Sequence, residues 1–407
     1  MTQTLESARI LLCVTGGIAA YKAAALTSTL VQSGARVDVM MTTEAERFIG
    51  PLTFSSLTAR PTYTSLWDAP ERIPHIRLVR EAQVAVVIPA TANIIAKLAN
   101  GISDDLVTTA LLAARIPVVV APAMNSAMWE NPATQINLTK LRERNNYTLV
   151  SPEAGFLAER ESGVGRLPSE DALLVAIERA LNDESPLQGK RVVVTAGPTR
   201  EFFDPVRYVG NPSTGSMGFA IARAAFVRGA DVQLILGPSA LVTPPGIDVR
   251  RVTTAQEMYD AAQTAVQGAD IVVAAAAVSD WRPARTQERK VKKSDGDLNV
   301  VLTRNPDVLA SFRDVAPSAF IVGFAAETND HEANAREKLS KKNLDAIAVN
   351  DVSGTRGFGA GENHLTLLWG RDSREDLGGA PKDELAQRFW NSIEALIAGK
   401  APHAARD

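Results

Sequence analysis

Arg9-Ile-Leu-Leu-Cys-Val-Thr15-Gly16-Gly17 decides the fold of the amino-terminal half, because a short continuous apolar run ends there at two glycines. Such a run is typical of a strand buried on both faces, as in a parallel sheet covered by helices. An alanine-rich helical stretch follows to about Ser33, and Gly34-Ala-Arg-Val-Asp-Val-Met-Met41 is the next predicted strand. The segment therefore predicts strand, glycine turn, helix and strand, which is the start of a doubly wound α/β domain.

The same order of elements recurs in the middle of the chain. Arg191-Val-Val-Val-Thr195 is a second apolar run, followed by a Gly-Pro turn and by another predicted turn at Asn211–Gly218. A predicted helix then runs to about Arg228, and Gly229-Ala-Asp-Val-Gln-Leu-Ile-Leu236 is the next strand. We therefore predict an α/β protein with two doubly wound, Rossmann-like domains. Because this architecture hosts many chemistries, function has to be argued from each site.

Length and one polar segment indicate where the two domains meet. The 407 residues exceed the size at which a single hydrophobic core keeps growing. Asn182-Asp-Glu-Ser-Pro-Leu-Gln-Gly189 is polar, contains Pro and Gly, and follows a predicted helix. We therefore predict an amino-terminal domain of residues 1–183, a linker of residues 184–189 and a carboxyl-terminal domain of residues 190–407.

Composition and charge exclude several classes of protein. Hydrophobic residues make up 45% of the chain and charged residues 22%, and the net charge of −3 gives no reason to expect nucleic acid or a membrane as partner. No apolar run reaches the roughly 18 residues of a spanning helix and no signal peptide is evident, so we expect a cytoplasmic protein. The single cysteine, Cys13, excludes an intramolecular disulfide and a thiolate-rich metal site. Its place inside a predicted strand favours a small, buried, apolar role over catalysis.

Three predicted strands of the first domain are each followed by small polar residues. Gly16 and Gly17 follow the first, Thr91 and Asn93 follow the second, and Asn125 follows the third. The carboxyl ends of strands in open α/β sheets face the ligand crevice, and backbone amides at a helix start bind anions. Alternatively, the two glycines form a purely structural turn. The pattern lacks the third glycine and the acidic residue of the dinucleotide fingerprint, which favours a mononucleotide such as FMN over NAD.

Four pieces of the amino-terminal half together resemble the flavin-dependent cysteine decarboxylases that bind FMN. They are Thr15-Gly-Gly-Ile-Ala-Ala-Tyr-Lys22, His75, Pro89-Ala-Thr-Ala-Asn-Ile-Ile-Ala-Lys-Leu-Ala-Asn-Gly101 and Pro122-Ala-Met-Asn-Ser-Ala-Met-Trp129. The resemblance implies a cofactor site formed by Gly16, Gly17, Thr91, Asn93 and Met128. It also implies that Asn125 binds the substrate carboxylate and that His75, expected in a loop, acts with the flavin. An imidazole pKa of about 6.5 suits proton transfer, although a lone loop histidine is more commonly structural or solvated.

One departure from this family concerns the flap that covers the substrate. Gly155-Phe-Leu-Ala-Glu-Arg-Glu-Ser-Gly-Val-Gly-Arg-Leu167 resembles that flap, in which well-known members carry a cysteine that donates a proton. Glu159 stands in its place here, and partial burial would raise the Glu159 pKa from about 4.3 towards that of a proton donor. Three interpretations stay open: Glu159 is the donor, the flap uses another donor, or the domain decarboxylates slowly.

The carboxyl-terminal half carries a second, denser set of motifs. They are Thr195-Ala-Gly-Pro-Thr-Arg-Glu-Phe-Phe-Asp-Pro-Val-Arg207, Asn211-Pro-Ser-Thr-Gly-Ser-Met-Gly218, Ala274-Ala-Ala-Ala-Val-Ser-Asp280, Arg289-Lys-Val-Lys-Lys293, Asn305-Pro-Asp-Val-Leu309, Gly323-Phe-Ala-Ala-Glu-Thr328, and Lys338 with Lys342. Together they look like the signature of phosphopantothenate–cysteine ligases. The whole chain thus resembles the bifunctional coenzyme A biosynthesis family, in which a phosphopantothenoylcysteine decarboxylase is fused to that ligase.

This second resemblance implies that a carboxylate attacks the α-phosphate of CTP and forms an acyl-cytidylate. Negative charge grows at that phosphate, so cations must lie close to it. Lys290 is the candidate nearest the reacting phosphate, and Asn211 is implied when the cysteine amine attacks the intermediate. The implied CTP site comprises Ala274, Ala275, Ala276, Asp280, Lys290, Pro306, Asp307, Val308, Leu309, Phe324, Lys338 and Lys342. Mg²⁺ is expected on the triphosphate, held mostly by phosphate oxygens and water, with its protein ligands unknown.

Several details of this half allow a second interpretation. Lys338 and Lys342 are one helical turn apart and would face the nucleotide together, although such a pair is commonly solvated surface. Asp280 is expected as a carboxylate at the tip of a strand. Ser216 stands where many relatives have a basic residue, which leaves phosphate affinity open. Gly357-Phe-Gly-Ala-Gly361 is interpreted as a hairpin turn or a mobile flap without a catalytic role.

The predicted function follows from both resemblances. The carboxyl half joins 4′-phosphopantothenate to cysteine with CTP, and the amino half uses FMN to decarboxylate 4′-phosphopantothenoylcysteine to 4′-phosphopantetheine. A homo-oligomer is expected, because relatives place the flavin between subunits. Two alternatives stay open. The first is an active ligase joined to a weak or inactive decarboxylase, because Glu159 stands where relatives carry the flap cysteine. The second is a non-catalytic protein that uses the flavoprotein fold to bind another protein.

Overall fold

The computed structural model describes residues 4–68, 73–156, 162–182, 185–243, 245–292, 298–327, 331–351 and 363–399. The chain divides into two compact units, Met1–Asp183 and Glu184–Asp407. Each unit contains its own open, largely parallel sheet with helices on both faces, so the prediction of two doubly wound α/β domains is confirmed.

The first unit is built on a six-stranded sheet in the order β3-β2-β1-β4-β5-β6, with every neighbouring pair parallel. Its strands are β1 (Arg9–Val14), β2 (Arg36–Met41), β3 (Thr62–Tyr63), β4 (Val84–Ala90), β5 (Val118–Pro122) and β6 (Tyr147–Leu149), and a separate antiparallel pair is formed by β7 (Glu153–Phe156) and β8 (Ser162–Arg166). The strand order reverses between β1 and β4, and in such sheets the ligand crevice lies beyond the carboxyl ends of those two strands.

Helices cover both faces of this sheet. They are α1 (Ala20–Gln32), α2 (Thr43–Glu46), α3 (Pro51–Thr58), α4 (Pro74–Glu81), α5 (Ala92–Asn100), α6 (Leu106–Leu112), α7 (Ser126–Glu130), α8 (Pro132–Arg142) and α9 (Glu170–Leu181). Alternate side chains of β1 enter two different cores: Leu12 packs with residues of α1, α3 and α9, whereas Cys13 packs with residues of α4, α5, α6 and α8. The continuous apolar run of β1 is explained by this burial on both faces.

His75 lies in the first turn of α4, so its expected place in a loop is wrong. Pro74 is the first helical residue, and the fixed φ and missing N–H of proline suit that position. Asp105 caps α6, accepting a hydrogen bond from the Thr108 N–H at 2.8 Å.

The second unit is built on an eight-stranded sheet in the order β13-β12-β9-β14-β17-β18-β19-β20. Its strands are β9 (Arg191–Ala196), β10 (Arg200–Phe202), β11 (Tyr208–Gly210), β12 (Asp231–Leu236), β13 (Asp248–Arg251), β14 (Ile271–Ala274), β15 (Trp281–Pro283), β16 (Leu302–Arg304), β17 (Phe320–Glu327), β18 (Ala346–Asp351), β19 (Asn363–Trp369) and β20 (Ser373–Ala380). Pairing is parallel from β13 to β18 and antiparallel for β19 and β20, while β10–β11 and β15–β16 form separate hairpin-like pairs. The order reverses between β9 and β14, which predicts a second ligand crevice there.

The helices of this unit are α10 (Ser216–Val227), α11 (Ala255–Ala265), α12 (Phe312–Val315), α13 (His331–Lys341) and α14 (Lys382–Ile397). The helix α10 begins at Ser216, inside the stretch expected to be a turn, because Gly215 at φ 80° ends that turn. The strand β14 ends at Ala274, so Asp280 lies in the following loop and not at a strand tip. The chain stays beside the continuation of β9 as far as Ala277, whose N–H donates to the Gly197 carbonyl at 2.9 Å.

No helix in the described part of the chain is long and apolar enough to cross a membrane. The predicted turn at residues 357–361 lies outside the described residues.

Candidate active sites

The first unit contains a cavity of about 750 Å³ at the carboxyl ends of β1, β4 and β5. It is lined by Gly17, Ile18, Ala19, Tyr21, Lys22, Pro89, Thr91, Ala92, Ala123, Met124, Asn125, Met128, Phe156, Gly165, Arg166 and Leu167. Its position at the reversal of strand order is where doubly wound sheets bind ligands. Four residues expected in the flavin site or beside it therefore line one cavity, namely Gly17, Thr91, Asn125 and Met128.

The two glycines after β1 do different things. Gly17 lines the cavity, and a Cβ on it would lie 3.5 Å from Pro89 Cγ and from Thr91 Cγ2. Gly16 is absent from the lining, and a Cβ on it would lie 2.4 Å from the Cβ of Glu44. The absence of a side chain at Gly16 thus allows the close approach of α2, while Gly17 keeps the cavity open.

Two of the expected polar residues cap helices at the cavity wall. Thr91 Oγ1 accepts a hydrogen bond from the Ile94 N–H at 3.3 Å, and Asn125 Oδ1 accepts one from the Ala127 N–H at 2.8 Å. Capping uses the oxygen of the Asn125 amide, so its NH₂ group is placed to donate to an anion. Asn93, although expected in the same site, is exposed on α5 and does not line the cavity.

The structure does not bring His75 to the cavity of its own chain. His75 is half-buried on α4, and its Nδ1 atom is buried without a hydrogen-bond partner in the described part of the protein. Glu159 lies outside the described residues, so its predicted role stays a prediction.

The strand β8 of the flap is attached directly to the turn that carries Asn125. The Met124 N–H donates to the Gly165 carbonyl at 2.9 Å, and Gly165 has a φ of 145°, a conformation that only glycine adopts readily. A Cβ on Gly165 would lie 2.1 Å from the Met124 carbonyl oxygen. This contact places Phe156 and Arg166 of the flap at the cavity wall.

Two cations at this cavity were not predicted from the sequence. Lys22 lies in the first turn of α1, and Arg166 is the last residue of β8. Burial lowers the pKa of the Lys22 ammonium, and the charge of Arg166 lowers it further, while Glu153 acts in the opposite sense. Lys22 stands inside a quoted motif, so its position after a glycine turn was a usable signal. The sequence carries no such signal for Arg166, because Arg166 is brought to the cavity by the contact of its neighbour Gly165 with Met124.

Cys13 should be unreactive in the native protein. It is 0% exposed, and burial, with a smaller contribution from the negative charge of Asp105, raises the pKa of its thiol from 9.0 to about 12. At pH 8 the thiolate fraction is then about 1,000-fold below that of an ordinary thiol. We expect no reaction with a chromogenic disulfide reagent until urea unfolds the protein, when one thiol per chain should react. Rapid reaction in the native state would contradict this assignment.

The second unit contains a cavity of about 470 Å³ at the carboxyl ends of β9, β14 and β17. It is lined by Thr195, Ala274, Ala276, Val278, Ser279, Asp280, Trp281, Arg304, Asn305, Pro306, Asp307, Val308, Leu309, Phe324, Lys338 and Lys342. Most of the residues expected to bind CTP therefore surround a single space. Ala275 is an exception, since it faces Gly218, where an added Cβ would lie 3.3 Å from its own Cβ.

Residues missed in this second cavity include Thr195 and Arg304. Thr195 lies near the carboxyl end of β9, beside the reversal of strand order, so the strand-end rule applied to Arg191–Thr195 would have found it. Arg304 directly precedes the quoted Asn305 motif and ends the short strand β16, for which the sequence carries no clear signal.

Charged groups at one side of this cavity form a linked set. Lys342 Nζ lies 2.9 Å from Asp307 Oδ2, and Lys338 stands one helical turn earlier. Burial would raise the pKa of Asp307, but the Ala310 N–H and the ammonium of Lys342 hold it below its ordinary value. Asp307 is therefore ionised at neutral pH and pairs with Lys342. Three cations, Lys338, Lys342 and Arg304, and two carboxylates, Asp280 and Asp307, line this cavity, and the excess of cations suits a polyanionic ligand.

Asn211 lies beside the second cavity without lining it. Its side-chain NH₂ donates to the Ala277 carbonyl at 3.3 Å and to the Val278 carbonyl at 3.2 Å, and Val278 is part of the cavity wall. Lys290 is exposed and is not among the lining residues. Among the described residues, no group of three or more His, Cys, Asp or Glu side chains could hold a metal ion.

Two open sheets, each with a cavity at its own reversal of strand order, define a two-site α/β enzyme. One domain has a pocket bordered by the β7–β8 pair, and the other has a pocket edged by lysines. Residues 1–182 match the family model described as Flavoprotein, and residues 187–397 match the model described as DNA/pantothenate metabolism flavoprotein C-terminal domain.

Curated relatives align over almost the whole chain. A "Coenzyme A biosynthesis bifunctional protein CoaBC" from Bacillus subtilis (strain 168) is 44% identical over 96% of this chain and 98% of its own length. The protein of the same name from Vibrio vulnificus (strain CMCP6) is 45% identical over 97% of this chain and 99% of its own length. The protein of the same name from Haemophilus influenzae is 40% identical over 96% of this chain and 98% of its own length. A solved C-terminal domain of such a protein is 35% identical, covering 52% of this chain and 98% of that chain at a TM-score of 0.46.

The chain belongs to the family of bifunctional coenzyme A biosynthesis proteins. It is an enzyme with phosphopantothenate–cysteine ligase and phosphopantothenoylcysteine decarboxylase activities, and its amino-terminal unit is a flavoprotein domain.

Proposed function

We propose that the carboxyl-terminal unit uses CTP to join 4′-phosphopantothenate to cysteine and that the amino-terminal unit then decarboxylates the product to 4′-phosphopantetheine with FMN. The observation that carries this proposal is that each unit has a cavity beyond the carboxyl ends of its central strands. Four of the residues expected for the first reaction line the first cavity, and ten of the twelve expected to bind CTP line the second.

FMN fits the first cavity chemically. Backbone amides after Gly17 and the cations of Lys22 and Arg166 suit a phosphate, while Pro89 and Met128 offer apolar contact to a ring system. When bound, FMN accepts and returns a hydride equivalent, which gives the electrons of the departing carboxylate an acceptor. The protein itself binds the substrate, orients it and excludes water.

Asn125 is assigned to the leaving carboxylate, because its NH₂ group is available at the cavity wall while its oxygen caps α7. His75 is assigned to proton transfer beside the flavin of a neighbouring subunit. In its own chain His75 does not line the cavity, and its buried Nδ1 atom has no hydrogen-bond partner among the described residues. This assignment makes the active protein a homo-oligomer.

CTP is assigned to the second cavity, with Asp280 and Phe324 beside the base and sugar and with Lys338 and Lys342 beside the triphosphate. Lys342 would exchange its bond to Asp307 for one to a phosphate oxygen. Mg²⁺ would be held by phosphate oxygens and water, and the cations of the cavity would face the negative charge of the triphosphate. Lys290 and Asn211, both outside the cavity wall, are assigned to the reacting phosphate and to cysteine attack. Cytoplasmic localisation stays a prediction from the sequence.

A purified preparation tests the whole proposal. We expect bound flavin absorbance, sedimentation above the monomer mass, and CMP with 4′-phosphopantetheine from cysteine, 4′-phosphopantothenate, CTP and Mg²⁺ by mass spectrometry. ATP in place of CTP, or EDTA, should stop the reaction. If Glu159 is the proton donor, Glu159→Gln should still release CO₂ but stall before the reduced product, so that the decarboxylated enethiol accumulates in place of 4′-phosphopantetheine; Glu161→Gln in the same flap is the matched control.

The alternatives make different predictions in the same experiment. If the wild type stops at 4′-phosphopantothenoylcysteine, the decarboxylase is weak and only the ligase assignment survives. The family comparison does not favour a non-catalytic binding protein. That alternative predicts neither product.

A further inference from the structure

The segment of residues 284–292 leaves the nucleotide cavity and is tied back to the body of the unit at both of its ends. It begins after β15, whose first residue, Trp281, lines the cavity, and the chain returns to the cavity at Arg304. Lys290 lies in this segment, which we call the strap. The position of Lys290 therefore depends on what holds the strap.

The first half of the strap is bound through its backbone and one hydroxyl. The Ala284 N–H donates to the Val301 carbonyl at 2.8 Å, and the Gln287 N–H donates to the Phe203 carbonyl at 2.9 Å. Thr286 Oγ1 donates to the Phe202 carbonyl at 3.0 Å. Phe202 is the last residue of β10 and Phe203 is the first residue of the turn to β11, so this end of the hairpin is the support for the strap.

The second half is held by a single residue, Val291, which follows Lys290 directly. The Val291 N–H donates to Asp204 Oδ2 at 3.2 Å, and the Val291 carbonyl accepts from Arg207 Nη2 at 2.7 Å. Both backbone hydrogen-bonding groups of Val291 are thus satisfied by one pair of side chains. Since adjacent Cα atoms are about 3.8 Å apart, fixing Val291 closely limits where Lys290 can lie.

Asp204 and Arg207 are themselves a rigid pair. The Asp204 carboxylate accepts from the Val206 and Arg207 N–H groups, each at 2.8 Å, and from Arg207 Nη2 at 2.6 Å. The Asp204 side chain is 0% exposed and that of Arg207 is 39% exposed. Burial would raise the pKa of Asp204, but the hydrogen bonds of Val206, Arg207 and Val291 hold it well below its ordinary value. The carboxylate is therefore charged at any pH at which the enzyme works.

We infer that Asp204 and Arg207 are positioning residues for the ligase, which act by holding Val291 and thereby fixing Lys290 on the strap. The inference rests on the proposed function of Lys290. The turn that carries the pair leads through β11 to Asn211, which is bonded to the wall of the nucleotide cavity. The turn of the β10–β11 hairpin thus fixes the backbone next to Lys290, and Asn211 directly follows the last strand of the same hairpin.

The test uses the full chain and the variants Arg207→Ala, Lys290→Ala and the double variant. Arg207→Ala should lower the ligase kcat about 10- to 100-fold with little change in the KM for CTP, since loss of position and not of binding is expected. At high enzyme concentration, the double variant should form as much product as Lys290→Ala alone. Arg207 is inferred to act through Lys290, so its removal has no effect once Lys290 is absent. Trypsin should cut after Arg289 or Lys290 faster in Arg207→Ala than in the wild type.

Arg388→Ala is the matched control. Arg388 also pairs with a nearby carboxylate, Glu384 at 2.6 Å, and donates to a distant carbonyl, that of Leu377 at 2.6 Å, with 40% of its side chain exposed. It should change neither the ligase rate nor the cleavage rate. Decarboxylase activity and thermal unfolding report whether each variant is folded.

The outcomes separate the inference from the proposal beneath it. An unaffected ligase in Lys290→Ala would refute the function proposed for Lys290. An inactive Lys290→Ala beside an unaffected Arg207→Ala would refute the positioning inference alone. Equal losses on removing Arg207 with and without Lys290 present would also refute it, because Arg207 would then act by another route.

Discussion

Lys290→Ala is expected to lower the ligase kcat about 10²- to 10³-fold, which is the usual cost of removing one group that stabilises charge in a transition state. Carboxylate attack concentrates negative charge at the α-phosphate, and the ammonium of Lys290 is proposed to meet that charge. Binding of CTP should change little, because Lys290 does not line the nucleotide cavity. The measurement is CMP release against CTP concentration, which separates kcat from KM.

The control for this variant is Lys190→Ala. Lys190 is also exposed and directly precedes the first residue of β9, at the end of that strand opposite to the nucleotide cavity, where it pairs with Asp270 at 3.0 Å. It should leave the ligase unaffected. Decarboxylation of supplied 4′-phosphopantothenoylcysteine should be normal in both variants. A fall in CTP affinity without a fall in kcat would assign Lys290 to binding and contradict the prediction.

Gly165→Ala is expected to reduce decarboxylation about 100-fold or more, the cost that a misplacement of about 1 Å can carry. The new Cβ would lie 2.1 Å from the Met124 carbonyl oxygen, at a φ of 145° that alanine adopts only with strain. The flap strand must therefore move away from the turn of Asn125. Bound flavin and product formation would be measured on the same preparation.

The ligase of the same molecule is an internal control, since its activity should not change. Gly50→Ala is the matched glycine control, because a Cβ there meets nothing within 4 Å. A Gly165→Ala enzyme with normal decarboxylation would show that the contact with Met124 does not position the flap.

The fold could be predicted because the central strands carry their own signal. Every residue from Ile10 to Val14 is apolar, as burial on both faces requires, and Arg191–Thr195 repeats the pattern. Ten of the twelve residues expected to bind CTP line the second cavity for a related reason: most of them stand in motifs at strand ends. Motifs that follow neighbouring parallel strands lie close together in space, because the carboxyl ends of those strands meet at one crevice.

The rest depends on contacts between residues that are distant in the chain. Which of Gly16 and Gly17 faces the cavity is decided by Glu44 on another helix, and Arg166 becomes a wall residue only because Gly165 meets Met124. Lys290 was expected to line the nucleotide site, yet it does not. Asn211, expected near the acyl phosphate, is bonded to the cavity wall. Both depend on a hairpin whose tertiary contacts no local pattern reveals. His75 was misplaced in a loop although Pro74 was a usable helix signal.

The burial of Cys13 has a consequence for an enzyme that handles thiols. Cysteine, 4′-phosphopantothenoylcysteine and 4′-phosphopantetheine each carry a free sulfhydryl, and under oxidative stress such molecules form mixed disulfides with accessible protein thiolates. The chain has a single cysteine, which is 0% exposed and far from ionised at neutral pH. The folded enzyme therefore offers its own substrates no sulfur to capture. Oxidation of the metabolite pool would deplete its reactants without covalently inactivating the catalyst.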